Sequence, residues 1–303
     1  MVRVVVGMLC LLSLCSFGTS PDIKLVPKSV RQGQVALLRV KANALPAELR
    51  AKAADQEILF WPCKKDVQTE QCGLVAVPLD TPVGKISVSV SWAAQAGTQT
   101  KSLSLGVRKG KFLVNRLKVD PSLTQPSEEE QKQIAIDKKD IEEAYLQREK
   151  DPLWEGAFEL PTKGGVTSFF GNQRTYNGEV KSTHFGVDLR AGTETPIHAI
   201  NQGKVLLARL FFFAGNMVLL DHGRGVYSSY AHLSNIAVKP GQIVKKGEVL
   251  GMAGATGRVT GPHLHWGTRA NGVPVDPHSL LVAMNRGGKG TPENPGKTSA
   301  SAR

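Results

Sequence analysis

Two histidines stand two positions apart in the segment TGPHLHWG, residues 260–267. Because successive side chains of a β-strand point to opposite faces, His263 and His265 would project from one face about 7 Å apart, while Leu264 would point away. Imidazole nitrogens bind metals and transfer protons near neutral pH. The spacing therefore predicts that both rings serve one site.

Two further segments offer ligands of the same kind. STHFGVDLRAG contains His184 and Asp188 four positions apart, and YAHLS contains His232. Zinc binds imidazole nitrogen and carboxylate oxygen at about 2 Å, and a hydrolytic zinc site keeps three protein ligands. Zinc polarises a carbonyl and lowers the pKa of water, and further imidazoles transfer protons or stabilise an oxyanion. The five side chains fit a hydrolytic zinc site with three metal ligands and two further residues that transfer protons or stabilise the oxyanion.

The segments HFGVD, YAHL and GPHLHW resemble, in this order, the three motifs of the lysostaphin-type (LytM-like) zinc metalloendopeptidases, which are peptidoglycan hydrolases. TSFFGNQR resembles the segment that precedes those motifs, and the similarity extends from about Pro161 to Pro277. The resemblance implies an antiparallel β-sheet that lines a groove, with one Zn2+ ion in the catalytic domain.

The same resemblance implies a role for each motif residue. The metal ligands would be His184, Asp188 and His265, and the catalytic residues His232 and His263 would flank the attacking water and the tetrahedral intermediate. The chain keeps all five motif positions, whereas family members that only activate other hydrolases have lost ligands. Two alternatives stay open. The three candidate ligands could have a structural role without metal, and the two candidate catalytic histidines could instead support the ligands.

The function implied by the resemblance is a secreted zinc metalloendopeptidase that hydrolyses peptide bonds in bacterial cell-wall peptidoglycan. Its substrate would be peptidoglycan stem peptides or cross-bridges. An alternative of a different class is a non-enzymatic wall-binding protein or an activator of another hydrolase. A zinc protease that cleaves envelope proteins shares every site residue and is a third interpretation.

The remaining histidines lie outside the motifs. His198, His222 and His278 are expected to be ordinary residues of strand ends or turns. Tyr230 stands two positions before His232, so strand alternation predicts that it shares the face of His232 and lines the groove.

The N-terminus has the layout of a secretory signal peptide over residues 1–18. Arg3 is followed by an apolar run from Val4 to Cys15 and then by small residues, and we expect cleavage after Gly18. The run is short for a transmembrane helix, and an uncleaved anchor is the alternative. We therefore expect export to the periplasm or cell envelope of a bacterium, with membrane contact only through this segment.

The formal net charge of +12 favours an anionic partner, such as nucleic acid, acidic lipid or a carboxylate-rich cell wall. Secretion argues against nucleic acid, and so do the scattered basic residues, which no aromatic stacking platform accompanies. A plain solvated basic surface is the alternative.

Cys63 and Cys72 are the cysteines that remain after removal of the signal peptide. In an oxidising compartment an isolated pair is most simply explained by one disulfide. Half of a metal site is the alternative, but it lacks further cysteines.

Alternating apolar and polar residues predict an all-β chain of two domains. KISVSVSW and SLSLGV, with turn residues between such runs, predict an N-terminal immunoglobulin-like β-sandwich over residues 21–108. A helical linker is expected over residues 109–152, and glycine-punctuated strands place the zinc metallopeptidase domain at residues 153–285. Residues 286–303 are rich in Gly, Pro, Ser and Lys and are expected to form a disordered tail.

The linker shows helix signals at both ends. Ser127 and Glu130 form a capping-box pattern, and Pro152 is expected to end the helix near Lys150. The helix would lie against a domain, with a solvated linker as the alternative. Because the preceding module carries no chemistry of its own, we hypothesise that the sandwich and this helix restrict access to the groove.

Overall fold

β-Strands make up most of the regular structure of the chain. The structure, a computed structural model, describes residues 20–65, 67–94, 97–117, 126–176 and 179–287. Within these ranges it contains two helices, so the all-β class predicted from the sequence is confirmed. The predicted signal peptide, residues 1–18, and residues 288–303 of the predicted tail lie outside the described residues. In the described part of the chain, no helix has the length and apolarity needed to cross a bilayer.

Two sheets that share one core form the N-terminal domain. Its strands are β1 Asp22–Val26, β2 Ser29–Arg31, β3 Val35–Lys41, β4 Arg50–Ala53, β5 Gln56–Ile58, β6 Trp61–Pro62, β7 Glu70–Ala76, β8 Gly84–Ala94 and β9 Gly97–Arg108. One sheet has the order β1-β3-β7-β6 and the other the order β2-β9-β8-β4-β5. Apolar side chains from both sheets form the shared core, so the domain is a β-sandwich. Its immunoglobulin-like subtype stays a prediction.

The sheet β1-β3-β7-β6 is buried on both faces. In β3, Ala36 and Leu38 point into the core of the sandwich, whereas Val35 and Leu37 point into the core that is shared with the second domain. This arrangement explains the uninterrupted apolar run VALL, because a strand buried on both sides does not alternate. Cys63 and Cys72 form the predicted disulfide beside this sheet.

The connection between the domains contains β10, Val114–Leu117, and α1, Glu128–Leu146. The capping box is present, since the Ser127 hydroxyl accepts the Glu130 N–H and the Glu130 carboxylate accepts the Ser127 N–H. The helix ends at Leu146, earlier than expected. Gln147 is already extended, and its carbonyl accepts the hydroxyl of Tyr227 at 2.8 Å.

The C-terminal domain contains the remaining elements. They are β11 Val166–Ser168, β12 Gln173–Tyr176, β13 Glu179–Thr183, β14 Gly186–Leu189, β15 Pro196–His198, β16 Gly203–Phe211, β17 Gly215–Asp221, β18 Val226–Ile236, β19 Ile243–Val244, β20 Val249–Ala253, β21 Leu264–Ala270, β22 Val273–Val275 and α2 Pro277–Gly287. The main sheet has the order β11-β14-β21-β18-β17-β16-β19, with β15, β20 and β22 attached beside it. A small sheet, β10-β12-β13, joins the interdomain connection to this domain.

One side of the main sheet, the core face, packs against α2 and the sandwich. Trp266 of β21 lies opposite Tyr230 of β18, and both are fully buried. The ring of His278 in α2 lies 5.8 Å from the ring of Trp266, and the hydroxyl of Ser279 accepts the N–H of Val35 at 3.0 Å. The N-terminal domain therefore packs behind the main sheet.

The other side, the front face, is the side to which Asp188, Ala231 and His265 point. Helix α1 packs on this face through Ile141, which contacts the cluster of Phe211, Met217 and Ala231. Ala144 packs with Leu219 and Tyr227 further along. The sandwich and α1 were together hypothesised to restrict access to the groove. In the structure, α1 lies on the front face, whereas the sandwich packs against the core face.

Candidate active site

The strand register brings Asp188 and His265 together. Asp188 of β14 lies directly opposite His265 of β21, and Ala231 of β18 lies opposite His265 on the other side. Opposed residues of antiparallel strands share a face, with Cβ atoms about 5 Å apart. Leu264 points the other way and is fully buried, as strand alternation predicted.

His184 completes a group of three candidate ligands. Its Nε2 lies 2.8 Å from Oδ1 of Asp188 and 3.0 Å from Nδ1 of His265. Oδ1 of Asp188 and Nδ1 of His265 are 3.0 Å apart. The ligand atoms of these residues all lie within 4.8 Å of one another. The structure thus brings together the three residues that the resemblance assigned to the metal.

Neighbouring backbone orients two of these rings. Nδ1 of His184 lies 3.0 Å from the carbonyl of Phe169, and because a carbonyl only accepts, Nδ1 must donate and Nε2 keeps its lone pair for a ligand. Gly186 leaves room for the ring of His265, since a Cβ at that position would lie 2.7 Å from its Nε2. The Phe169 carbonyl therefore orients the ring of His184, and the absence of a side chain at Gly186 leaves the space that the ring of His265 occupies.

His263 lies just before β21 and on the same side as His265. Its Nδ1 donates to the carbonyl of Gly261 at 2.9 Å, which leaves Nε2 as an acceptor 3.7 Å from Oδ1 of Asp188. The two histidines of HLHW therefore serve one site, as predicted.

His232 reaches the site through a β-bulge. Between the paired residues Tyr230 and Leu233, β18 has one more residue than β17, and His232 has a left-handed φ of 65°. Such a conformation is uncommon outside glycine, and bulges turn side chains to new directions. The His232 ring consequently stands 4.9 Å from that of His263 and 5.9 Å from that of His265.

The expectation that Tyr230 shares the face of His232 and lines the groove is wrong. Tyr230 lies opposite Trp266 on the core face and is fully buried. Its hydroxyl accepts the N–H of Ile200 at 3.1 Å. Strict alternation would have placed His232 on that core face too, and the bulge moves it to the front.

Three residues that sequence reasoning missed hold the bulge. The carbonyl of Ala214 accepts the N–H of His232 at 2.8 Å, and the carbonyl of Thr256 accepts its Nδ1 at 3.0 Å. The hydroxyl of Thr256 donates to the carbonyl of Leu233, which also accepts the side-chain amide of Asn216. These contacts join residues distant in sequence, and no local signal marks them.

The surroundings favour an ionised Asp188 together with neutral rings of His232 and His265. Burial would raise the pKa of Asp188, but its contacts with the rings of His184 and His265 outweigh burial and hold this pKa well below its usual range. Burial lowers the pKa of His265, and burial together with the nearby His265 lowers the pKa of His232 to about 4. Neutral imidazoles have the lone pairs that metal binding and proton acceptance require.

The donor set fits zinc. Two imidazole nitrogens and one carboxylate oxygen are ligands that zinc uses, and three protein ligands leave a position for water or substrate. The donor atoms lie 2.8 to 3.0 Å apart. Tetrahedral ligands about 2 Å from zinc are roughly 3.3 Å apart, so only small side-chain movements are needed.

The other three histidines do not join this group. His222 is fully buried, with Nδ1 2.7 Å from the carbonyl of Gln202 and Nε2 2.7 Å from the hydroxyl of Ser228. Nδ1 of His198 bonds the carbonyl of Gly247. His278 lies in α2, behind the sheet.

Exposed aromatic side chains stand near the candidate ligands on two sides. Phe169, whose carbonyl bonds the ring of His184, is 59% exposed, and Phe213, which precedes Ala214 in the turn that bonds His232, is 43% exposed. Phe185 follows His184 in sequence and is 51% exposed, with its ring 6.4 Å from that of Phe170. The guanidinium of Arg258 lies 5.8 Å from the centre of the Phe213 ring.

Comparison with known proteins adds independent evidence. Residues 182–277 match peptidase family M23. A solved structure of a peptidase M23 from Pseudomonas aeruginosa is 30% identical, with a TM-score of 0.63 over 83% of this chain and 95% of that chain.

Two curated relatives match over shorter stretches. The peptidoglycan DD-endopeptidase ShyB of Vibrio cholerae is 39% identical over 113 residues, which are 37% of this chain and 26% of ShyB. The DD-carboxypeptidase/endopeptidase Mpg of Neisseria meningitidis is 43% identical over 99 residues, 33% of this chain and 23% of Mpg. The chain thus spans about a quarter of the length of these relatives.

The all-β fold and the His-Asp-His group, taken with these similarities, define a hydrolase of the metallopeptidase class. More particularly, the chain belongs to peptidase family M23.

Proposed function

We propose that this protein is an exported zinc metalloendopeptidase that hydrolyses peptide bonds in bacterial peptidoglycan. The observation that carries the proposal is the convergence of five side chains on the front face. Three of them offer donor atoms within 4.8 Å of one another, and the rings of His232 and His263 stand beside these donors. Membership of family M23 supports the same chemistry.

The roles follow from which atoms remain available. His184, Asp188 and His265 would hold the ion, which when bound supplies a Lewis acid that polarises a carbonyl and lowers the pKa of water. In His232 and His263, Nδ1 is bonded to a backbone carbonyl, so Nε2 is the acceptor. Such a ring accepts a proton from the attacking water, and once protonated it donates to the oxyanion or to the leaving amine.

Peptidoglycan as the substrate is supported by the name of the relative ShyB and by the charge of the chain. The net charge of +12 suits a carboxylate-rich polymer. Exposed Arg258 offers a guanidinium for a substrate carboxylate, and the exposed phenylalanines near the site offer apolar contacts. The predicted signal peptide, residues 1–18, would deliver the protein to the compartment where this polymer lies.

The proposal is tested by digestion of purified peptidoglycan with zinc-loaded protein, with and without a chelator, followed by mass spectrometry of the muropeptides. We expect chelator-sensitive release of cleaved peptides, and the products identify the bond. The DD cross-link is the first bond to examine, because DD-endopeptidase is part of the name of ShyB. Absence of chelator-sensitive cleavage would support the alternative of a non-enzymatic wall-binding protein or activator.

Single alanine variants divide the five residues by role. Replacing His184, Asp188 or His265 should lower zinc content and activity together. Replacing His232 or His263 should leave zinc near stoichiometric and lower turnover by about 10² to 10⁴, which is typical of a lost acid–base group. The matched control is His198→Ala, which removes an imidazole outside the site and should change neither readout. Full zinc content in His265→Ala together with zinc loss in His263→Ala would reverse the assignment.

A further inference from the structure

A buried carboxylate in the interdomain helix contacts the hairpin between β16 and β17. Asp137 is one of two buried residues of α1, and its side chain is 9% exposed. A buried charge is costly unless it is paired and hydrogen-bonded. Asp137 meets both conditions, since Oδ1 accepts Nη1 of Arg209 and Nε2 of Gln133, each at 2.9 Å, and Oδ2 accepts the N–H of Phe212 at 2.6 Å.

Two of the three partners of Asp137, Arg209 and Phe212, belong to the hairpin β16–β17. Arg209 lies two residues before the end of β16, and its guanidinium also pairs with Asp140 and lies 3.8 Å from the centre of the Phe211 ring. Phe212 begins the turn between the strands. The helix therefore fixes both the end of the hairpin and the backbone of its turn.

The same turn holds the catalytic bulge. Two residues after Phe212, the carbonyl of Ala214 accepts the N–H of His232, whose φ of 65° needs outside support. A strained residue of this kind persists only when its surroundings determine it. A short path of hydrogen bonds thus runs from Asp137 through the turn to His232.

A second contact reaches the same place. Ile141, one helical turn after Asp137, packs with Phe211, Met217 and Ala231. Ala231 precedes His232 and lies opposite His265. The helix therefore supports the bulge in two ways, through the hydrogen bonds of Asp137 and through the apolar contacts of Ile141.

We propose that α1 is a brace of the catalytic centre and that Asp137 is a positioning residue for His232. The interdomain connection is then part of the catalytic unit rather than a spacer. The effect on turnover rests on the proposed function, whereas the effect on the geometry of the bulge does not.

The test uses the full mature chain with Asp137→Ala, Asp137→Asn and the control Glu143→Ala. Glu143 lies on the same helix, is largely exposed and pairs with Lys139 at 3.8 Å. We expect Asp137→Ala to lower kcat by about 10- to 100-fold, as misplacement of a catalytic group does, with KM and zinc content unchanged. Asp137→Asn keeps an acceptor for the Phe212 N–H and should lie between wild type and Asp137→Ala, while Glu143→Ala should match wild type.

A double variant separates positioning from general destabilisation. In a His232→Ala background, Asp137→Ala should cause no further loss of kcat, because the residue that it positions is already absent. An equal loss of kcat in both backgrounds would overturn the proposal.

Amide hydrogen exchange gives a readout without catalysis. Asp137→Ala should speed exchange at the N–H of His232 by about tenfold or more and leave the N–H of His222 unchanged, because the latter bonds Val226 away from the turn. Unchanged exchange at His232 would overturn the brace even in an active enzyme. If the wild-type protein has no activity and Asp137→Ala still speeds exchange at His232, the proposed function is overturned and the brace is retained.

Discussion

His222 is expected to set much of the acid sensitivity of folding. The ring is fully buried, with both nitrogens bonded to neutral groups, and burial lowers its pKa from 6.5 to about 4. Between these two pH values the unfolded chain binds a proton that the folded chain does not, so stability is lost as the pH falls. Above the unfolded pKa the contribution is complete, and below pH 4 no further loss occurs. The shift corresponds to about 3 kcal/mol in total at 1.36 kcal/mol per unit.

Urea unfolding followed by circular dichroism measures this effect. Between about pH 7.5 and about pH 4.5, His222 should account for roughly 2 to 3 kcal/mol of lost unfolding free energy. His222→Asn, which keeps a donor for the carbonyl of Gln202, should be less stable than wild type at neutral pH. Its unfolding free energy should fall less than that of wild type on acidification, by the amount attributed to His222. The control is His198→Asn, because His198 also bonds a backbone carbonyl but is only half-buried. The same pH dependence in wild type and His222→Asn would show that burial of this ring does not control acid stability.

Three further predictions concern the site and its supports. Gly186→Ala would place a Cβ 2.7 Å from the His265 ring and from the carbonyl of Trp266. Because the His265 ring would have to move, zinc affinity in a competition titration should fall by about 10- to 100-fold. Unchanged affinity would contradict this ring position as the one that binds zinc. A shortened chain that begins at Lys150 lacks α1 and should lose activity on soluble muropeptides, whereas a gain would favour the hypothesis that the N-terminal region restricts the groove. Replacing Cys63 and Cys72 with serine should lower the unfolding free energy by roughly 2 to 3 kcal/mol in denaturant titrations, and an unchanged midpoint and slope would exclude that stabilisation.

Local patterns in the sequence were sufficient where the physics is local. The spacing of His263 and His265 predicted a shared face because strand alternation depends only on backbone geometry. The capping box at Ser127 was predictable because it joins residues three positions apart. The disulfide followed from there being one cysteine pair in the expected mature chain. The five motif residues were recognised by type and spacing, and the fold brings them together.

The tertiary structure decided what depends on pairing between distant segments. Alternation predicted that His232 and Tyr230 share a face, but a bulge set by pairing with β17 and by Thr256 separates them. The helix signals at Ser127, Glu130 and Pro152 did not specify which surface α1 covers, because that choice depends on Arg209 and the hairpin turn. Nor did the sequence place the sandwich behind the main sheet, since apolar burial is non-directional and only the assembled surfaces determine which faces meet.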